Sequence, residues 1–156
     1  MLLLVNHTSD IDPVLVQAAL PRHVVFMAKE ELFRMGLLGA ILRVFGAFPV
    51  KRGTPDRGAL RRASDLIESG RVVCIFPEGK LSKTGELGEI QPGVALIASI
   101  TNCTVVCARI RGANRILPYG QLLPRPALSW VTISFGNPWR TEGDFVERVR
   151  DEILGL

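Results

Sequence analysis

The 156-residue sequence is poor in residues that ligate metals or form disulfides, with three cysteines and two histidines. Because three is an odd number and too few for a disulfide scaffold, we expect reduced thiols in a cytosolic compartment. Cys103 and Cys107 have no further cysteine or histidine near them in the sequence, so no zinc site is expected. Aromatic residues make up 6% of the chain and are not interleaved with basic ones. We therefore predict neither a bound metal nor a nucleic-acid partner.

Signatures of several function classes are also missing. The serines do not lie in a Gly-x-Ser-x-Gly nucleophile elbow, which disfavours that class of hydrolase. Neither a Gly-Lys-Ser/Thr phosphate loop nor Gly-x-Gly-x-x-Gly occurs, so nucleotide binding has no support. The most apolar stretch, 35–50, is interrupted by Arg43 and falls short of the roughly 18 apolar residues of a membrane span. No signal peptide is predicted, because no basic segment begins the chain.

The sequence does contain enough apolar residues for a core, with a basic balance of charge. Hydrophobic residues make up 47% and charged residues 22%, which excludes disorder. The length predicts one domain over 1–156. The net charge of +4 favours anionic partners such as phosphate or acidic lipid. A mildly basic globule without such a partner is the alternative.

Apolar runs and helical periodicities alternate along the chain, which predicts an α/β fold. Predicted strands cover 2–5, 24–28, 47–51, 72–76, 105–110 and 130–135. Predicted helices cover 12–20, 30–45, 93–100 and 144–154, with another that begins at Thr54-Pro55 and is closed by Gly70. The segment from 111 to Pro126 is predicted to consist of turns.

The first candidate site is the pair His7 and Asp12. His7 follows the first buried strand, where α/β sheets place ligand-binding and catalytic groups. A carboxylate at the start of the next helix would fix the tautomer of the imidazole and leave its other nitrogen to take a proton from a hydroxyl. The alternative is that Asp12 only caps the helix and His7 is an ordinary loop residue. His23 is predicted to be a surface histidine.

Two further clusters are candidates for binding an anion. The segment 76–80 follows a predicted strand, and its glycine, Gly79, lets the backbone approach a ligand closely while Lys80 adds a positive charge. The segment 51–53 contains Arg52, and arginine suits bidentate contacts with phosphate. A strand-to-loop turn and a basic surface turn are the plainer alternatives.

In this order, the clusters resemble the motifs of the glycerolipid acyltransferase family, whose typical member is lysophosphatidic acid acyltransferase. The first motif, Asn-His-x4-Asp, is matched by Asn6, His7 and Asp12. The second, an extended segment between a glycine and an arginine, is similar to 46–52, and the third, Phe-Pro-Glu-Gly, is matched at 76–79. The fourth, a hydrophobic strand with a proline, is similar to 105–108, where Cys107 replaces the proline. The resemblance implies one α/β domain with a mixed central sheet flanked by helices.

The resemblance also implies an O-acyltransferase that moves a fatty acyl chain from a thioester to the free hydroxyl of a lysophospholipid. His7 would be the general base and Asp12 would hold it. The predicted substrate-binding residues are Asn6, Arg52, Glu78, Gly79 and Lys80, of which Arg52 would bind the acceptor phosphate and Lys80 is our own addition. No cofactor is expected besides the co-substrate, which is acyl-CoA or an acyl carrier protein.

Departures from the family pattern bear on substrate and setting. The residues after Gly79 are Lys-Leu-Ser, which is similar to the branch that reacylates lysophosphatidylethanolamine from acyl carrier protein, often within a larger fused chain. The acceptor is thus 1-acylglycerol-3-phosphate or a lysophosphatidylethanolamine. Five residues precede Asn6, where relatives usually carry an apolar segment that docks on the membrane. We therefore expect a truncated chain or a domain of a larger protein, at the cytoplasmic face of a membrane.

Two questions stay open at this point. The apolar residues of 36–48 form a rim against the bilayer, pack in the core, or divide between the two. Besides a thioester-dependent acyltransferase, the chain is compatible with a phospholipid transacylase and with a non-catalytic module that binds membrane or lipid.

Overall fold

The predicted alternation of strands and helices is confirmed in a computed structural model that describes residues 1–51, 53, 56–121, 125, 130–141 and 143–156. The strands are β1 (Leu2–Val5), β2 (Val24–Lys29), β3 (Phe48–Val50), β4 (Val72–Ile75), β5 (Val105–Arg111) and β6 (Thr132–Phe135). The helices are α1 (Asp12–Ala19), α2 (Gly36–Val44), α3 (Arg57–Glu68), α4 (Pro92–Thr101), α5 (Ala113–Ile116) and α6 (Phe145–Gly155), with a 3-10 helix over Glu30–Arg34.

The described strands form a six-stranded sheet in the order β3-β2-β4-β1-β5-β6. Neighbours from β3 to β5 are parallel, and β6 is antiparallel to β5, so the predicted mixed sheet is confirmed. Because β1 lies between β4 and β5, the loops that follow β1 and β4 emerge side by side at the carboxyl edge. That edge is where parallel sheets bind ligands.

The central strand β1 is buried on both faces, which explains its uninterrupted apolar sequence. Leu2 and Leu4 join a core cluster with residues of α3, α4 and α6, whereas Leu3 and Val5 join a second cluster with α1. Burying each such side chain stabilises the fold by roughly 1.5–3 kcal/mol. The sheet thus holds the loop after β1 on a rigid base.

The starts and ends of several helices follow from single residues. Pro13 and Pro92 lie in the first turns of α1 and α4, where the missing backbone N–H removes no hydrogen bond of the helix. The Asp144 carboxylate caps α6 by accepting from the amides of Val146 and Glu147. Gly70, with φ of +81°, ends α3 in a backbone conformation that favours glycine.

The prediction of one helix over 30–45 is wrong. The chain forms the 3-10 helix first, then turns at Met35 and Gly36, where Gly36 has φ of +23°, and only then begins α2. Gly39 lies against the backbone carbonyl of Phe33, and a side-chain methyl at that position would overlap it. The two segments therefore pack as a bent pair instead of continuing along one axis.

Three smaller differences concern helix boundaries. Ile11, not Asp12, precedes the first turn of α1, and Asp12 is its first residue. The predicted start at Thr54-Pro55 lies outside the described residues, and the Asp56 side chain caps α3 by accepting from the Ala59 amide. The short helix α5 occupies part of the segment predicted to be turns, which also extends beyond the described residues. None of the helices in the described part of the chain is both long and apolar enough to span a bilayer.

Candidate active site

The loop between β1 and α1 brings His7 and Asp12 into contact, which is one of the two interpretations that their spacing left open. His7 Nδ1 lies 3.0 Å from Asp12 Oδ2. The same oxygen accepts the backbone amides of Thr8 and Ser9, at 2.6 and 2.8 Å. These donors hold a carboxylate that is fully buried at the first turn of α1. The Asp12 carboxylate therefore both orders the loop and orients the imidazole of His7.

This contact determines which nitrogen of His7 is free to accept a proton. An ionised carboxylate can only accept hydrogen bonds, so Nδ1 carries the hydrogen that points to Asp12. Nε2 then has a free lone pair. An imidazole oriented in this way by a carboxylate is suited to act as a general base.

The segment after β4 holds His7 from three directions. The Phe76 ring stacks on the imidazole, with centroids 4.0 Å apart and planes 15° apart. The Ser82 amide donates to the His7 carbonyl at 2.8 Å, and the His7 amide donates to Glu78 Oε1 at 3.1 Å. Burial raises the pKa of the Glu78 carboxyl, although the amides of His7 and Gly88 hydrogen-bond to it and act in the opposite direction.

On its other side, the His7 loop is tied to the segment 110–117. Asn6 donates its amide nitrogen to the Ile110 carbonyl at 2.9 Å and accepts the Ile110 amide on its side-chain oxygen at 2.7 Å. The Ser9 hydroxyl donates to the Leu117 carbonyl at 2.7 Å. Asn6 was predicted to bind substrate, and that role stays a prediction. The anchoring roles of Asn6 and Ser9 had no signal in the sequence, because their partners are more than 100 residues away.

A cavity of about 860 Å³ lies between the sheet and the helices α3 and α4, and part of its wall is the segment 76–80, which contacts His7. Its wall is mainly apolar, and its apolar side chains include Met27, Val50, Leu60, Ile75, Val94 and Ile97. Phe76 is shared between the cavity wall and the stack on His7. Lys51, Asp56 and Lys80 add charged groups to the lining. The Phe76 ring therefore joins a mainly apolar cavity, with charged groups in its lining, to the oriented imidazole.

The other predicted residues have varied outcomes. Gly79 has φ of +65°, which explains the need for glycine, and it lines the cavity together with the exposed Lys80. Arg52 lies outside the described residues, while its neighbours Lys51 and Gly53 line the cavity. Their contacts with a substrate stay predictions.

Asp56 is a member of the site that sequence analysis missed. It caps α3, and its Oδ2 accepts the Lys51 amide at 2.9 Å. The Lys51 and Ala59 amides are the main reasons why the pKa of Asp56 is lowered. Among the described residues, no group of three or more histidine, cysteine or acidic side chains is arranged to hold a metal ion.

Comparison with known proteins identifies the family. The profile of the Acyltransferase family matches residues 1–111. The chain belongs to this family. It is 32% identical over 117 residues to a chloroplastic 1-acyl-sn-glycerol-3-phosphate acyltransferase of Arabidopsis thaliana, covering 74% of the chain and 33% of that protein. It is 30% identical over 139 residues to a 1-acyl-sn-glycerol-3-phosphate acyltransferase of Streptococcus pneumoniae, covering 88% and 49%.

A solved acyltransferase structure shares the fold. The crystal structure of a 1-acyl-sn-glycerophosphate acyltransferase from Thermotoga maritima superposes with a TM-score of 0.72 at 21% sequence identity. The alignment covers 99% of this chain and 62% of the other. The chain thus spans about a third to a half of the length of the curated acyltransferases described above, and somewhat more of the structural neighbour.

Proposed function

We propose that this chain is the catalytic domain of a 1-acyl-sn-glycerol-3-phosphate O-acyltransferase. The observation that carries the proposal is the buried pair His7–Asp12, which the Phe76 ring joins to a mainly apolar cavity. Relatives named for this activity support the acceptor, 1-acylglycerol-3-phosphate, over a lysophosphatidylethanolamine. The donor is an acyl thioester, either acyl-CoA or an acyl carrier protein.

In the proposed reaction, His7 Nε2 takes the proton of the acceptor hydroxyl as its oxygen attacks the thioester carbonyl. A carbon–oxygen bond forms, the carbon–sulfur bond breaks, and the thiolate leaves with the proton that His7 has gained. Asp12, at 3.0 Å from Nδ1, stabilises the imidazolium between these two transfers. No covalent enzyme intermediate is required, so much of the acceleration comes from holding two substrates in line.

We expect the cavity to hold both substrates. Its volume of about 860 Å³ and apolar wall suit a fatty acyl chain. Lys51 and Lys80 would attract the acceptor phosphate, and Arg52 follows Lys51 directly in the sequence. The carbonyl to be attacked would lie near Phe76, which touches both the cavity and His7.

The exposure of apolar side chains in the segment 35–45 supports catalysis at a membrane surface. Leu37 and Val44 are 79% and 84% exposed, and Met35, Ile41 and Phe45 are also exposed. These side chains do not pack in the core, which favours the apolar rim for them, whereas Phe48, at the end of the stretch 36–48, is buried in the core. Because the acceptor is a lipid, we propose that this exposed face of α2, with Met35 and Phe45 at its ends, enters the headgroup region of a bilayer.

The test is transfer of a labelled acyl chain to lysophospholipids in liposomes, with the native chain beside His7→Ala. Acyl-CoA and acyl carrier protein are tried as donors, and 1-acylglycerol-3-phosphate and lysophosphatidylethanolamine as acceptors. We expect thioester-dependent transfer to the phosphate-bearing acceptor and a loss of roughly 10²–10⁴-fold in His7→Ala. Circular dichroism checks that the variant is folded.

Other outcomes would point to other functions. Transfer between phospholipids without a thioester would identify a transacylase. Liposome binding that survives His7→Ala, with no turnover by the native chain under any condition, would replace the enzyme with a lipid-binding module.

A further inference from the structure

We infer that Glu78 is a positioning residue, which acts on the reaction by fixing the backbone of His7 and not by touching the acceptor. The inference rests on the proposed function, in which His7 is the general base. It differs from the substrate-binding role that the resemblance implies for this glutamate.

The Glu78 carboxylate is directed to the protein. Although Glu78 contributes to the cavity wall, only 2% of its surface is exposed. Oε1 accepts the His7 amide at 3.1 Å, and a methyl group on Gly88 would lie 3.3 Å from Oε2. The Gly88 amide also acts on this carboxyl, by lowering its pKa. The His7 backbone therefore occupies one carboxylate oxygen, and the Gly88 backbone lies close to the other.

The contact of Glu78 is one of several that restrict His7. The Ser82 amide holds the His7 carbonyl, Phe76 covers one face of the ring, and Asp12 binds Nδ1. With Glu78 on the amide, both backbone polar groups of His7 are bound by the segment 76–82. Nε2 is the one polar atom of His7 that these contacts leave unused. The geometry of proton transfer therefore depends on Glu78 through the backbone.

The chemistry of the contact requires a carboxylate. The His7 amide donates to Oε1, and the Gly88 amide, whose backbone lies close to Oε2, lowers the pKa of the carboxyl; a carboxylate offers both amides an acceptor oxygen. Glutamine has nearly the same shape, but its NH₂ group would face one of these donors. Glu78→Gln therefore loosens the His7 backbone with little change in side-chain volume.

The experiment measures kcat and the acceptor KM separately for the 156-residue chain, Glu78→Gln and the control Glu89→Gln, which removes an exposed carboxylate from the same loop. We expect kcat of Glu78→Gln to fall roughly 10–100-fold, because displacement of a reacting group by about 1 Å has effects of this size. The acceptor KM should stay within about twofold, since no contact with substrate is removed. The control should match the native chain.

A rise in the acceptor KM with kcat retained would overturn the inference, because Glu78 would then bind the acceptor directly. Unchanged kcat and KM would overturn it as well. If Glu78→Gln does not fold, the same measurement is made on Gly88→Ala. The added methyl displaces the Glu78 carboxylate by a few tenths of an ångström, and the charge of the carboxylate is kept. A fall in kcat of roughly 3–10-fold at constant KM is expected for this variant, and no fall would overturn the inference.

A further measurement distinguishes failure of the proposed function from failure of this inference. If the native chain transfers no acyl group, nuclear magnetic resonance of the two histidines still tests the contact. Glu78→Gln should shift the backbone amide and imidazole resonances of His7 and leave those of the exposed His23 in place. Unchanged His7 resonances would show that Glu78 does not position it.

Discussion

At the scale of single residues, Glu78 and Asp12 place two carboxylates within reach of one histidine. Burial raises the pKa of Glu78, because the ionised form loses its hydration. The ionised carboxylate is therefore less stable in the folded protein than in the unfolded chain. As pH rises from the ordinary pKa of glutamate through the raised value, Glu78 contributes progressively less to stability.

The direction of the Glu78 pKa shift predicts how the stability of a variant changes with pH. We expect the unfolding free energy of Glu78→Gln, relative to that of the native chain, to move in favour of the variant as pH rises. The measurement is urea denaturation of both proteins at pH values from about 4 to 8. Glu89→Gln is the control, since its carboxylate is exposed. A difference that is constant with pH, or that moves the other way, would contradict the raised pKa.

The sequence allowed part of the site to be predicted at this scale. His7 and Asp12 are five residues apart, so their contact follows from a strand, a loop and a helix start. The partner of the His7 amide is 71 residues away, and that of Asn6 is 104 residues away. Such contacts depend on the order of the strands, which local patterns do not determine.

At the scale of elements, the bend between the 3-10 helix and α2 shows where periodicity misleads. The apolar spacing over 30–45 is helical throughout, and only the close approach of Gly39 to the Phe33 carbonyl reveals two segments. Arg43 reinforces the bend by donating to that carbonyl at 2.8 Å. The strands were predictable because β-rich apolar runs are short and bounded by polar loops.

Gly39→Ala tests this bend. Alanine usually stabilises a helix relative to glycine by about 1 kcal/mol, but here its methyl would collide with backbone. We therefore expect Gly39→Ala to lower the unfolding free energy, by roughly 1–3 kcal/mol, in urea denaturation. Gly155→Ala in α6 is the control, because no atom lies within 4 Å of its added methyl. A stabilised Gly39→Ala variant would refute the close packing.

The exposed face of α2 gives a second prediction at this scale. Replacing Leu37 and Val44 by serine should weaken binding to liposomes by at least roughly tenfold, because both apolar side chains would otherwise leave water. Flotation with vesicles of anionic lipid measures the effect. Val14→Ser is the matched control, since Val14 is 69% exposed on α1. Equal binding by the double variant and the native chain would remove α2 from the proposed membrane contact.

At the scale of the whole molecule, the three cysteines differ in how deeply the fold buries them. Cys74 and Cys107 are fully buried, and burial raises the pKa of both thiols, that of Cys107 to about 12. Cys103 is only partly buried. None of the three forms a disulfide in the part of the chain that the structure describes, and their reduced state stays a prediction.

A thiol reagent should distinguish the three. We expect one thiol to react with Ellman's reagent in the native protein, and the other two at least roughly a thousandfold more slowly, through unfolding. The rapid reaction should be lost in Cys103→Ser, and urea should expose the remaining two thiols. Rapid reaction of two or three thiols without denaturant would show that the sheet opens far more readily than its burial indicates.

The paired hydrogen bonds between Asn6 and Ile110 have one more consequence. The Ile110 amide hydrogen is held by a side chain of the histidine loop, and not by the backbone of a neighbouring strand. Its exchange with deuterated solvent therefore follows the opening of that loop, whereas neighbouring amides of β5 follow the opening of the sheet. The exchange rate of this one amide hydrogen on β5 therefore measures how often the loop that carries His7 opens.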